Sequence, residues 1–180
     1  RGDQEMHSYF RLSPSSRLRR PLTIFGLPTQ YRNAIDKSSF DKLDLAIVAY
    51  FSEEAREEIP SVLCDPAFLI SDELKRLFRL YIPDLEAKMV QLFAGEKDSH
   101  KSCPYWLPFF PPVNCLHKST ERYPDGSVKQ IVLDNAALPR EPIFRIGGMR
   151  EYRIVVELSV AESILRRSPY GVDLTPVEVK

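Results

Sequence analysis

A strand, a serine, an amphipathic helix and a second strand follow one another twice along this chain of 180 residues. In the first instance, Phe68–Ile70 has the composition of a strand, and Ser71 is placed to cap the next helix. The apolar residues of that helix recur with the i, i+3, i+4, i+7 spacing of one helix face: Leu74, Leu77, Phe78 and Tyr81. Pro83 would end the helix, and Lys88–Phe93 has the composition of another strand.

The second instance follows the same order near the C-terminal end of the sequence. Arg153–Glu157 is typical of a strand, and Ser159 with Glu162 three residues later matches a capping box at the start of a helix. Gly171 is placed to end this helix, and Val172–Val179 resumes a strand. The recurrence predicts a weak structural repeat.

Two glycine-containing turns predict β-hairpins. Gly147-Gly148 separates the apolar segments Ile143–Ile146 and Tyr152–Val156, and glycine readily adopts the positive φ that a tight turn requires. Tyr123–Gly126 (YPDG) has Pro, Asp and Gly in the order of a β-turn and leads into Ile131–Leu133. The sequence therefore predicts a C-terminal hairpin-helix-strand unit.

Prolines constrain the remaining segments, since the chain has 15 Pro against 7 Gly. Those in His7–Gln30 favour edge strands and loops, and Cys103–Pro112 is too rich in proline for a helix or a central strand. Pro176 marks an edge or a bulge in the last strand. Asp44–Phe51 reads as a buried strand, and Ser52 with the acidic residues after it predicts a short helix.

These elements together predict an α+β fold. We expect a single domain over residues 6–180, with a mixed or antiparallel sheet and a few short helices near 52–59, 72–82 and 160–168. Residues 1–5 lie before Met6 and are interpreted as an expression remnant or a trimmed edge, so they enter no argument about function.

Charge and cysteine content exclude several classes of protein. The 25 basic and 25 acidic side chains cancel, so no global field would collect nucleic acid or anionic lipid. Three cysteines cannot form a complete disulfide framework, which favours a reduced, cytoplasmic protein. No apolar run is long enough to span a bilayer. We therefore expect a soluble protein without membrane contact.

Catalytic and cofactor motifs are sparse. Neither glycine-rich phosphate-binding motif occurs, and no cofactor is predicted. His100, Cys103, Cys115 and His117 lack the spacing of a zinc finger, so no metal site is predicted. Cys115 and His117 share a face if they lie on a strand, which leaves open an uncharacterised enzyme that uses this pair. The alternative interpretation is a core cysteine beside an exposed histidine.

Two groups of residues could bind a macromolecule. An aromatic group lies among four prolines, where stiff loops could present it to a protein partner or bury it as core: Tyr105, Trp106, Phe109 and Phe110. An acidic group lies on the helix predicted at 52–59, where it could meet a basic partner or form a solvated face: Glu53, Glu54, Glu57 and Glu58. The cluster Arg17, Arg19 and Arg20 leaves a nucleic-acid-binding module as a disfavoured alternative.

A series of short motifs occurs in one order along the second half of the chain: Phe68-Leu69-Ile70-Ser71, Tyr105-Trp106-Leu107-Pro108, Val113-Asn114-Cys115-Leu116, Ile143-Phe144-Arg145-Ile146, Ile154-Val155-Val156 and Gly171-Val172-Asp173-Leu174. Their order over about residues 68–179 resembles the bacterial polymorphic-toxin immunity protein family number eleven, formerly a domain of unknown function. The sequence departs from that family at Leu174, where the family has Phe, and matches it only loosely before Phe68.

The resemblance implies an α+β protein that is encoded beside a toxin and neutralises it by binding. The family has no catalytic motif to transfer, so the resemblance implies a non-catalytic role with a cognate protein toxin as partner.

Overall fold

The computed structural model describes residues 8–18, 22–52, 59–95 and 102–180. It shows an α+β fold. The strands are β1 (Tyr9–Pro14), β2 (Ile24–Phe25), β3 (Ala46–Phe51), β4 (Val62–Leu63), β5 (Leu69–Ser71), β6 (Ala87–Ala94), β7 (Ser102–Pro108), β8 (Pro112–Val113), β9 (Glu121–Arg122), β10 (Val128–Gln130), β11 (Val132–Leu133), β12 (Ile143–Ile146), β13 (Ile154–Glu157) and β14 (Val172–Val179). The helices are α1 (Thr29–Arg32), α2 (Lys37–Asp41), α3 (Asp72–Tyr81) and α4 (Leu158–Arg167). The helix predicted at 52–59 falls mainly on 53–58, outside the described residues.

Helix α3 forms as its sequence predicts. The hydroxyl of Ser71 accepts a hydrogen bond from the Leu74 amide at 3.3 Å, which satisfies one of the unpaired amides of the first turn. The helix ends at Tyr81, two residues before Pro83. Its apolar face is buried, so the i, i+3, i+4 pattern describes its packing correctly.

Helix α4 begins differently from its prediction. Residue Glu157 is the N-cap, and no side chain accepts a capping hydrogen bond. The prediction of a capping box formed by Ser159 and Glu162 is therefore wrong. The Leu158 amide instead donates to the Ser8 carbonyl at 2.9 Å, a partner contributed by the segment before β1. The C-cap is Ser168 in the left-handed region (φ 47°), and Gly171 lies in the turn that leads into β14.

The strands of the described ranges form two six-stranded mixed sheets and a separate hairpin. Sheet I has the order β2-β3-β6-β7-β5-β4, and sheet II has the order β11-β14-β1-β13-β12-β8. Among the described residues, β9 and β10 pair only with each other around the turn at Gly126, so the YPDG turn forms as predicted. The predicted second strand at Ile131–Leu133 is wrong, because Val132 and Leu133 pair with β14 instead. The second predicted hairpin is also confirmed, because β12 and β13 pair antiparallel with Phe144 opposite Val155.

Sheets I and II share one strand pattern. Strands β5 and β6 are joined by α3 and run antiparallel to β7 between them, just as β13 and β14 are joined by α4 and run antiparallel to β1 between them. The outer neighbours also correspond: β3 and β11 are parallel to β6 and β14, while β4 and β12 are antiparallel to β5 and β13. The predicted repeat is therefore confirmed. The two sheets differ in two respects. The strand between the helix-linked pair comes from the start of the chain in sheet II, and the sixth strand is β2 beside β3 in sheet I but β8 beside β12 in sheet II.

The proline-based predictions about strand position are confirmed only in part, because β2 is an edge strand of sheet I as expected within His7–Gln30, whereas β1 and β7 are not edge strands. Strand β1 is central in sheet II rather than an edge strand, and its Pro14 is the last residue of the strand. Strand β7 is central in sheet I although it contains Pro104 and Pro108. Strand β5 pairs with β7 only at Tyr105 and Trp106 among the described residues. At Pro104 and Pro108, β7 therefore has β6 as its one partner there, and no second strand needs the amide hydrogen that proline lacks.

A shared core joins the two repeats. It contains buried residues from both sheets together with the inner faces of α3 and α4, among them Phe78, Val160 and Ile164. A second core lies under α1 and α2 on the other face of sheet I, and a third lies on the other face of sheet II. Within the described ranges, no helix has the length and apolar character that crossing a membrane would require.

Candidate protein-binding site

The structure places two of the four predicted aromatic residues in the core. The Tyr105 hydroxyl donates to the Pro60 carbonyl at 2.7 Å, and burial raises the pKa of this phenol. Phe110 is 2% exposed and packs edge-to-face on Phe78 with the ring centroids 6.3 Å apart. Neither side chain offers surface to a partner, so the core interpretation holds for these two.

Trp106 and Phe109 are partly exposed. The indole Nε1 of Trp106 donates to an Asp72 carboxylate oxygen at 3.0 Å, and the Lys75 ammonium lies 3.0 Å from the ring centroid. The ring of Phe109 packs against Phe40 at a centroid distance of 5.2 Å. These contacts hold both rings in one orientation.

A cavity of about 280 Å³ lies where the two repeats meet, and Phe109 and Phe110 line it. Three segments form its wall: the turn after α3, the connection from β7 to β8, and the approach to β12. The other lining residues are Ile82, Asp84, Leu85, Glu86, Pro111, Val113, Glu141, Ile143 and Phe144. We call this the junction cavity.

The junction cavity combines an apolar floor with an acidic rim. Phe110, Ile143 and Phe144 are buried in its floor, whereas Asp84, Glu86 and Glu141 are exposed residues. The Lys37 ammonium forms a salt bridge with the Glu86 carboxylate at 2.5 Å. Asp84 and Glu141 form no hydrogen bond or ion pair with other residues in the described part of the chain. Such a site suits a side chain with an apolar stem and a cationic head, as in lysine or arginine.

The hydrogen bonds of Lys37 keep one wall of the cavity in place. Its ammonium donates to Asp41 at 2.8 Å as well as to Glu86, and both hydrogen bonds raise its pKa. The same ammonium lies 5.5 Å from the Phe109 ring centroid. Lys37 therefore connects α2 to the carboxylate and the aromatic ring that flank the opening.

The predicted Cys–His pair does not have the geometry of a nucleophilic site. Cys115 is 0% exposed in the third core, and burial raises the pKa of its thiol to about 11. His117 shares a hydrogen bond with the Ser119 hydroxyl at 2.8 Å through Nδ1. A buried, protonated thiol has no access to a substrate, so the hypothesis of a Cys115–His117 enzyme is wrong.

The other predicted sites are only partly described. Glu53, Glu54, Glu57 and Glu58 lie outside the described residues, as do Arg19, Arg20 and His100. Arg17 is exposed, and its charge contributes to lowering the pKa of Asp173. Across the described ranges, no three His, Cys, Asp or Glu side chains are grouped to hold a metal ion.

Sequence reasoning missed the acidic rim. Asp84 and Glu141 are separated by more than fifty positions in the sequence, and each belongs to an ordinary polar loop. The sequence signal that pointed to this site was the proline-rich segment Cys103–Pro112, because this segment connects sheet I to sheet II. Only the packing of the two repeats shows that these carboxylates flank Phe109.

The chain matches no protein-family model, and a search of curated proteins likewise gave no match.

Proposed function

We propose that this chain is a non-catalytic cytoplasmic protein that binds and neutralises a cognate protein toxin, as members of the immunity family that it resembles are expected to do. Two features support the proposal. The resemblance extends over the segment that contains both repeat helices, and the junction cavity has the composition of a protein-binding pocket.

The acidic rim carries the proposal. Asp84 and Glu141 are exposed carboxylates beside apolar surface, and neither is neutralised within the described chain. A basic side chain of the toxin would place its stem on Phe109 and its charge between the carboxylates. Since opposite charges also accelerate encounter, such a site favours rapid capture of a basic toxin.

Co-expression with the product of the adjacent gene tests the proposal. The wild-type chain should co-purify with that product as a stable complex, and Asp84→Lys combined with Glu141→Lys should weaken the affinity about tenfold or more. Most of the loss should be in the association rate, and it should diminish at high salt. Titration calorimetry and stopped-flow binding measure the two quantities.

A control matched in net charge to the single variant Asp84→Lys is Glu162→Lys, which reverses one charge on the exposed face of α4 where Glu162 pairs with Arg166. This variant should bind as the wild type does. Equal losses in the cavity and control variants would show that only net charge matters and would remove the junction cavity from the proposal. Failure to recover any complex with the adjacent gene product would count against the immunity function itself.

A further inference from the structure

A second cavity of about 280 Å³ lies on the face of sheet II opposite α4. Strands β1 and β14, the residue before β13 and the hairpin strand β10 border it. Its basic residues are Arg11, Lys129 and Arg153, and its one carboxylate is Glu178. Apolar side chains complete the wall: Val128, Ile131, Met149 and Val177. We call this the arginine cavity.

The antiparallel register brings the two arginines to the same face. Arg11 lies opposite Val155, and Arg153 is two residues before Val155, so alternation along the strand gives Arg153 the same side as Arg11. Although Cys64 is an exposed residue, desolvation of its thiol raises the pKa to about 11, and the charges of Arg153 and Arg11 act against that rise. The shared face and the shared cavity wall place the two guanidinium groups on one region of sheet II.

Neither guanidinium group is neutralised within the described chain. The guanidinium groups of Arg11 and Arg153 form no hydrogen bond or ion pair with the described residues, and the Arg11 Nε is buried without a partner. Other arginines of the chain donate to carbonyls or carboxylates, for example Arg145 to Ile35 at 2.7 Å and Arg76 to Asp72 at 2.6 Å. A buried donor without an acceptor destabilises a protein unless something else supplies one.

Two carboxylates near the cavity differ in their partners. Glu178 pairs with the Lys180 ammonium at 3.1 Å and accepts from the Gln130 amide at 3.3 Å. The Oε1 of Glu151 accepts from the Val128 amide at 3.3 Å, whereas its Oε2 is buried without a partner, so this carboxylate offsets part of the charge of the two arginines without pairing with either. The Lys129 ammonium pairs with Glu121 at 2.9 Å, so the two arginines supply the excess positive charge of the cavity.

We propose that the arginine cavity binds a small organic oxyanion, a phosphate monoester or a carboxylate, through the guanidinium groups of Arg11 and Arg153. Guanidinium groups form paired, charge-assisted hydrogen bonds with both kinds of anion. The apolar wall accepts the carbon skeleton of such a ligand, and the volume limits it to a small molecule. This binding site is separate from the junction cavity and does not depend on the proposed toxin partner.

Titration with inorganic phosphate and, separately, with acetate tests the proposal on the full chain. Calorimetry should detect binding of at least one of the two anions, and the stronger one identifies the ligand class. Chloride at matched ionic strength should give no such signal. Arg11→Gln and Arg153→Gln should each weaken binding about tenfold or more, because each removes charge-assisted hydrogen bonds. Arg166→Gln removes the same charge from an exposed position and should bind as the wild type does.

A second measurement guards against misfolded variants. A bound oxyanion offsets the positive charge beside Cys64 and should slow alkylation of its thiol in the wild-type chain. The conservative variant Arg153→Lys keeps the charge but loses the paired geometry, and it should bind more weakly than the wild type and more tightly than Arg153→Gln. Absence of binding by either anion, or equal binding by Arg166→Gln and both cavity variants, would overturn the proposal.

Discussion

Replacement of Gly171 by alanine should destabilise the protein by disturbing the contact between the two repeats. Gly171 has φ +70°, and a Cβ atom at this position would lie 2.8 Å from the Pro60 Cβ and 3.1 Å from the Pro60 Cα. The chain is held there by the Ser15 amide, which donates to the Gly171 carbonyl at 2.8 Å, and by the Ser61 amide, which donates to the Tyr170 carbonyl at 2.8 Å. Neither proline atom is the end of a flexible side chain, so the backbone must move.

Two costs add up in this variant. The left-handed conformation costs a residue with a Cβ about 1–2 kcal/mol. Contacts about 0.5–1 Å inside the usual carbon–carbon separation cost about 1–3 kcal/mol more, as overpacking does. We therefore expect Gly171→Ala to lower the free energy of unfolding by about 2–5 kcal/mol.

Gly126→Ala is the matched control. Gly126 has φ +84°, but a Cβ atom there would meet nothing within 4 Å. This variant has the conformational cost alone, about 1–2 kcal/mol, and both variants restrict the unfolded chain equally. Urea unfolding followed by the fluorescence of Trp106, the single tryptophan, measures the difference. Equal losses of stability in the two variants would refute the proposed clash with Pro60.

Three further predictions follow from individual side chains. Tyr105→Phe removes the donor to the buried Pro60 carbonyl and should cost about 1–2 kcal/mol in urea unfolding, whereas an unchanged midpoint would show that this hydrogen bond adds nothing. Hydrogen bonds from the amide and hydroxyl of Ser39 lower the pKa of Asp36 from 3.8 to about 2. The stabilising contribution of the Asp36 carboxylate is therefore complete above about pH 4 and is lost as the pH falls toward 2. In thermal unfolding, Asp36→Asn should lose less stability than the wild type over that interval. The exposed Cys64 should be the first thiol to react with an aromatic disulfide, and its reaction should be slow because its pKa is raised to about 11. Buried Cys115 should react only after unfolding. A native Cys64→Ser variant that reacts as fast as the wild type would contradict this order.

Two kinds of sequence signal proved reliable because they act over few residues. Helix α3 forms where Ser71 caps it and Pro83 stops it, and both hairpins form at their predicted turns. The predicted capping box of α4 does not form, because the first amide of the helix donates to the Ser8 carbonyl, which lies just before β1 and about 150 positions earlier in the sequence. A distant partner can replace a local cap, and the local pattern contains no sign of it.

Proline content misled the assignment of strands for a related reason. Proline excludes a strand from a sheet interior only where its missing amide hydrogen is needed, and this depends on how far the neighbouring strand extends. Strand β5 is three residues long and leaves Pro104 and Pro108 beside a single partner. The length of a neighbouring strand cannot be inferred from the proline-rich segment itself.

The candidate binding sites also combine features that the sequence shows with features that only packing shows. The aromatic segment could be found in the sequence, but only packing separates buried Tyr105 and Phe110 from partly exposed Phe109. The carboxylates of the junction cavity and the two guanidinium groups of the arginine cavity come from loops and strands that meet only after folding. Their sequence separation removes any periodic signal.

The sequence by itself determined the α+β class, the two strand-helix-strand units and the turns, because capping, proline stops and hydrophobic spacing act within one or two helical turns. The tertiary structure decided the rest: which strand lies in the middle of each sheet, which aromatic residues are buried and which charges stand together. Strand β1 illustrates the reason, since it completes sheet II by pairing with β13 and β14 at the far end of the chain. Long-range pairing is selected by the complementarity of whole surfaces, and no local segment of the sequence contains that information.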